Sequence, residues 1–161
     1  MTPIVSFVGY SNSGKTTFIV KVIRELKSRG FRIGVIKHDG HDFEMDHSGS
    51  DTWKHRQAGA DIVCIGSANQ IAVIETPMKQ PMLDDIVKYI HNVDLIITEG
   101  FKQEKKPQIE VNRQGAACLG KKENTIAVVA DQIIYDDVLH FGFEDAGKLA
   151  DFLESQFKLS R

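Results

Sequence analysis

The sequence predicts a three-layer α/β/α domain built on a mainly parallel sheet. Three observations carry that expectation. Short continuous runs of β-branched and aromatic residues recur along the chain, as strands covered on both faces require. Stretches with apolar residues at helical spacing separate several of them, the pattern of βαβ units. The 161 residues contain no repeat, low-complexity segment or linker, so 1–161 is expected to form a single domain.

IVSFV at 4–8 is the first expected strand, followed by a helix from about Thr16 to Arg29. Its stripe is Ile19, Val22, Ile23 and Leu26, and Gly30 is a natural stop. FRIGVIK (31–37) is the second strand, and the polar stretch HDGHDFEMDHSGS (38–50) is a long loop. Ser50 or Asp51 is placed to cap a short helix, TWKHRQAG, ending near Gly59. DIVCIG (61–66) and QIAVIET (70–76) read as two strands joined by a tight turn, and MLDDIVKYIH (82–91) as a helix. DLIITEG (94–100), QIEV (108–111) and TIAVVA (125–130) are further strands. EDAGKLADFLESQF (144–157) closes the chain as an amphipathic helix with Leu149, Phe152, Leu153 and Phe157 on one side.

A formal net charge of −2 offers no broad basic field for nucleic acid or an anionic membrane, so phosphate must be held locally. No run approaches the roughly 20 apolar residues of a membrane span, and the first residues carry no signal-peptide pattern. A cytoplasmic protein is the expectation. Cys64 and Cys118 match no metal-binding spacing and are expected to be free, buried thiols.

Gly9-Tyr10-Ser11-Asn12-Ser13-Gly14-Lys15-Thr16 fits G-x-x-x-x-G-K-[ST] at every fixed position. It also follows an expected strand and opens an expected helix, the context this motif needs. Glycines let successive N–H groups turn inward to phosphate oxygens, and the helix start adds a partial positive charge of about half a unit. Lys15 is placed for the β- and γ-phosphates, and the Thr16 hydroxyl for Mg²⁺. The loop predicts a nucleoside-triphosphate site of the P-loop NTPase type.

A partner acid is expected at the end of another central strand. Glu99, after four apolar residues and before Gly100, fits that Walker B place, the alternative being a surface carboxylate. Lys102, Lys105 and Lys106 follow, either as a solvated turn or as a cradle for an anionic substrate or partner. His38, His41, His47 and His55 lie among Asp39, Asp42, Glu44, Asp46 and Asp51. Three readings stay open there: a switch-like loop in which Lys37 meets phosphate and Asp39 meets Mg²⁺, a zinc or nickel site, and a plain solvated loop. No NKxD guanine reader occurs. Asp131, at the end of TIAVVAD, either accepts two hydrogen bonds from a guanine edge or caps a turn.

The segments GYSNSGKTT, VIKHDGHDFEMD, SDTWKHRQAGA and DLIITEGFK together resemble the MobB family of molybdopterin-guanine dinucleotide biosynthesis proteins, over residues 3 to 131. The resemblance implies that Gly9 to Thr17, Thr17 included, bind the phosphates of GTP. It implies that Thr16 and Glu99 organise Mg²⁺, and that Asp39, His41 and Asp42 form an acidic loop. Asp51 and Arg56 are implied to lie near the nucleotide. It further implies a homodimer with weak GTP hydrolysis that assists the guanylyltransferase joining GMP to molybdopterin. Lys15 and Glu99 are then the catalytic candidates, with Arg56, or a lysine of 102–106, as the cation for the γ-phosphate. A nickel or zinc metallochaperone GTPase and a small-molecule kinase are the alternatives on the same loop.

Overall fold

The computed structural model describes residues 2–40 and 42–160. They form two compact units, one made of residues 1–38 with 83–161 and the other of residues 39–82.

The larger unit holds a six-stranded sheet in the order β2-β5-β1-β6-β7-β8. The strands are β1 (Ile4–Val8), β2 (Ile33–Lys37), β5 (Leu95–Glu99), β6 (Gln108–Asn112), β7 (Thr125–Ala130) and β8 (Leu139–Phe141). Every pairing between them is parallel. All strand ends that bear carboxyl termini therefore gather on one edge, where ligands bind in open α/β sheets.

Alternation along the strands divides the residues between two faces. On one face Val5, Phe7, Leu95, Ile97, Ile109, Val111, Ala127 and Val129 pack under α1 (Lys15–Ser28) and α4 (Ala146–Phe157). The helices contribute Phe18, Ile19, Val22 and Leu26 from α1, and Leu149, Ala150 and Leu153 from α4. Arg29 ties the two together, donating to Glu25, Asp151, Glu154 and the Gly147 carbonyl. α1 stops as expected: Gly30 has φ 91° and its N–H reaches Lys27 O at 3.0 Å.

The other face changes character across the sheet. Ile4, Ile36 and Ile96 pack against Leu83 of α3 (Leu83–Val87), with Ile86, Val87 and Ile90 around them. Under β6 the same face is polar, because Gln108, Glu110 and Asn112 all lie buried there. No helix connects β5 to β6, β6 to β7 or β7 to β8. Loops make those crossovers, and the β6 side chains satisfy loop backbone. Gln108 donates to Lys102 O and Glu104 O, Glu110 accepts from Leu119 N and the Tyr135 hydroxyl, and Asn112 donates to Ala117 O.

The smaller unit contains α2 (Asp51–Gln57) and an antiparallel hairpin of β3 (Ile62–Gly66) and β4 (Ile71–Glu75). Ser50 caps α2 by accepting from Trp53 N at 3.1 Å.

Three expectations are corrected. α3 ends at Val87 and not near His91, since the chain tightens into successive turns through Ile90 and Asn92 then takes a φ of 58°. α4 begins at Ala146, because Asp145 turns back to accept from Gly142 N at 2.8 Å. Both cysteines are free but exposed. In β3 the inward position is Val63, so its neighbour Cys64 faces out, while Cys118 sits on the loop after β6.

Candidate functional site

The loop from Gly9 to Gly14 leaves β1 and turns directly into α1. Its first residue must be glycine: a Cβ there would lie 2.4 Å from the Val111 carbonyl oxygen and 2.8 Å from Ser13 Oγ. Asn12 and Gly14 take φ values of 63° and 85°, which bend the backbone around the loop's interior. Gly14 caps α1 without a side-chain hydrogen bond, and no acid stands in the first turn. The N–H groups of that turn and their partial positive charge are thus left for an anion.

Lys15 spans this loop. Its Nζ donates to Tyr10 O at 2.7 Å, Gly9 O at 3.1 Å and Ser13 Oγ at 3.4 Å. Partial burial pushes the Lys15 ammonium below its usual range; Glu99 opposes that effect and Lys37 adds to it. Lys37 and Glu99 are paired residues at the ends of β2 and β5. Thr16 Oγ1 donates to Glu99 Oε1 at 2.6 Å. Walker A hydroxyl and expected Walker B acid therefore meet, although 83 residues separate them.

Backbone bonds hold Glu99 from both sides. Gly100 N reaches Phe7 O at 2.9 Å, and His38 N reaches Glu99 O at 2.9 Å. Gly100 has φ 97° and a Cβ on it would stand 3.1 Å from the Cβ of His38. The His38 ring stacks on Phe101, with centroids 4.9 Å apart.

The remaining sequence-predicted residues separate into groups. Tyr10, Ser11, Asn12 and Thr17 lie exposed on the loop and first turn, and Ser13 is buried within it. Asp131 follows β7 and accepts from Gln114 N at 3.0 Å, so one of its oxygens anchors the loop after β6. Lys106 is engaged by Asp84 at 3.2 Å and precedes β6 at the sheet's amino-terminal edge, away from Glu99. Asp39 opens the smaller unit, and Arg56 lies in α2 of that unit. There Asp46 accepts from Ser50 Oγ, Thr52 Oγ1 and His47 N. Burial alone would raise the Asp46 carboxyl, but these bonds and the nearby Arg56 charge outweigh it and hold it below the usual range. Among the described residues, no three His, Cys, Asp or Glu side chains assemble to hold a metal ion. His41 lies outside the described residues.

Sequence reasoning missed Arg113 and Phe143. Arg113 follows β6, and its Nη2 lies 3.4 Å from where a Gly14 Cβ would be. Its guanidinium carbon sits 5.0 Å from the centroid of the Phe143 ring. Neither residue belongs to a motif. The only available signal was position, since both stand just past the carboxyl ends of parallel strands.

The profile of the family described as "Molybdopterin guanine dinucleotide synthesis protein B" (MobB) matches residues 4–131. The chain belongs to the MobB family. It is 35% identical to the molybdopterin-guanine dinucleotide biosynthesis adapter protein of Escherichia coli (strain K12), over 95% of this chain and 92% of that one. It is 32% identical to the protein of the same description from Haemophilus influenzae, over 95% and 88%. The crystal structure of Bacillus subtilis MobB superposes with a TM-score of 0.75 at 26% identity, covering 96% of this chain and 97% of that one. The parallel sheet with flanking helices is thus the MobB fold, of the P-loop NTPase kind. The family match spans Walker A, Glu99 and Asp131, and it ends before β8 and α4.

Proposed function

We propose that this chain binds GTP with Mg²⁺, hydrolyses it slowly, and serves as an adapter in molybdopterin-guanine dinucleotide biosynthesis, assisting the guanylyltransferase that joins GMP to molybdopterin. The observation that carries the nucleotide reading is the 2.6 Å bond between Thr16 Oγ1 and Glu99 Oε1 beside an open helix start. The descriptions of the relatives supply the pathway.

The residues fit a magnesium ion chemically. A hydroxyl and a carboxylate, both hard oxygen donors of the kind Mg²⁺ prefers, are adjacent. When bound, the ion would neutralise charge on the phosphates. Thr16 and Glu99 would hold it, Lys15 would leave the loop carbonyls for the β/γ-phosphates, and the first-turn N–H groups would orient the chain of phosphates. Asp131 offers its remaining acceptors to the N–H groups of a guanine. No glutamine stands in a DxxGQ context to orient water, so turnover is slow and rises with a partner.

The smaller unit leaves Ile62, Ile65, Ile71 and Val73 exposed on its hairpin, apolar area that a second copy would cover in the homodimer. No helix among the described residues is long and apolar enough to cross a membrane; the adapter acts in the cytoplasm.

Titration calorimetry with Mg²⁺ tests the reading. Wild type binds GTP more tightly than ATP, Lys15→Ala loses at least about tenfold in triphosphate affinity, and Glu99→Gln loses the Mg²⁺ dependence. Lys15→Ala binding GTP as wild type does would reject the P-loop site.

A further inference from the structure

The geometry points to Arg113 as the residue that distinguishes guanine from adenine, by donating its two-pronged guanidinium to the O6 and N7 acceptors of the base. This deepens the nucleotide reading above and rests on it.

Arg113 stands on the carboxyl edge of the sheet, just past β6. β1 carries the phosphate loop, and β6, β7 and β8 follow it in the sheet. Each ends on the same edge, and three neighbouring residues mark the ends: Arg113 after β6, Asp131 after β7 and Phe143 after β8. The phosphate loop at the end of β1 is bordered in the sheet by β5 on one side and β6 on the other, and Arg113 stands on the β6 side.

Phe143 is fixed from three directions. Its ring meets Phe18 of α1 edge-on at 6.0 Å, and its Cε1 lies 3.2 Å from the position of a Gly14 Cβ. Lys21, one turn further along α1, donates to its carbonyl at 3.0 Å and pairs with Glu144 at 2.9 Å. On this platform the Arg113 guanidinium rests at 5.0 Å. The ring limits the freedom of the guanidinium, and the Arg113 Nη2 lies 3.4 Å from the position of a Gly14 Cβ. Asp131 adds a second constraint, since its carboxylate accepts from Gln114 N, the residue next to Arg113. Meanwhile the guanidinium is exposed and makes no ion pair among the described residues. An arginine held in place by an aromatic ring and an anchored backbone, yet with its donors uncommitted, is prepared for an acceptor pair.

Guanine presents that pair. O6 and N7 both accept, and an arginine fork meets them together, whereas adenine offers N7 beside an N6 amino donor that opposes a guanidinium N–H. Arg113 and Asp131 are complementary: one donates to the O6/N7 edge, the other accepts from the N–H groups of the pairing edge. This arrangement accounts for base selection in a chain without the NKxD sequence.

The test compares GTP, ATP and 7-deaza-GTP, which lacks N7, by calorimetry on wild type, Arg113→Ala and Arg113→Lys. Wild type is expected to prefer GTP over ATP by roughly 5- to 100-fold, and GTP over 7-deaza-GTP by a smaller factor. In Arg113→Ala the GTP affinity falls to near that of ATP, the ATP affinity moves less than about twofold, and 7-deaza-GTP equals GTP. Arg113→Lys keeps the charge without the fork and loses most of the preference too. Circular dichroism checks the fold of both variants, and Arg113→Lys decides if the alanine variant fails to fold. A uniform loss for GTP and ATP in either variant would make Arg113 a phosphate contact and overturn the proposal, as would a wild type that binds both bases alike. Failure of wild type to bind any triphosphate would instead remove the nucleotide site itself.

Discussion

A single methyl group at Gly9 would collide with a backbone carbonyl that belongs to the neighbouring strand, not to a side chain able to swing aside. Gly9→Ala is therefore expected to lower stability by about 1–3 kcal/mol, measured by urea unfolding, and to abolish GTP binding in calorimetry. A variant that binds GTP normally would show that the loop tolerates a shift of β6. At this scale the motif residues were legible because their chemistry is tied to fixed spacing: Lys15, Thr16 and Gly14 sit where G-x-x-x-x-G-K-[ST] demands. Glu99 stood out from the strand ahead of it, and the structure brings it to 2.6 Å from Thr16 Oγ1. Arg113 and Phe143 were not, since their meeting depends on three strands lying side by side and no local pattern records it. For Lys106 the sequence leaves a solvated turn and an anion cradle open, and a run of charge does not reveal that it pairs with Asp84.

Among the elements, β6 departs most from what apolar patterning suggests. QIEV reads as half polar, which in a solvent-facing strand places the polar residues outward. Here both faces are buried, and Gln108, Glu110 and Asn112 serve as fasteners for loops that replace crossover helices. Glu110, 2% exposed, depends on the Tyr135 hydroxyl at 2.9 Å. Tyr135→Phe leaves that carboxylate oxygen short of a donor and should cost about 1–3 kcal/mol in a denaturant titration. Burial first, then the bond to Glu110, pushes the Tyr135 phenol above its ordinary value of 10.0. A group raised in the folded state holds its proton longer than the unfolded chain does. Its contribution is complete below pH 10 and declines as the medium becomes more alkaline. Tyr135→Phe should flatten that alkaline decline; an unchanged slope would assign it to other groups. The strand β8 escaped sequence reading altogether. Three residues, Leu139 to Phe141, with the first two exposed, are too few to show a period.

The molecule as a whole divides in a way composition did not foreshadow, with residues 39–82 forming a unit of their own. Its hairpin keeps Ile71 at 77% exposure and Ile62 at 53%. If the proposed homodimer forms through this hairpin, Ile71→Asp with Val73→Asp should convert it to a monomer in light scattering, with the proposed nucleotide binding preserved. A double variant that stays dimeric would move the interface elsewhere. The main sheet was easier to foresee, because alternating strand and helix patterns leave few topologies once crossovers are right-handed.

The position of β1 also bears on how the protein is born. Its hydrogen-bonding neighbours are β5 and β6, and β2 pairs with β5 alone. Until residue 95 has been synthesised, no strand of the six-stranded sheet has a partner, and only the β3–β4 hairpin can close. At typical translation rates that interval lasts roughly 5–20 s. Throughout it IVSFV, later buried along its whole length, remains an unpaired apolar strand on a nascent chain. The segment that leads into the phosphate loop thus waits, like β2, for β5 to emerge.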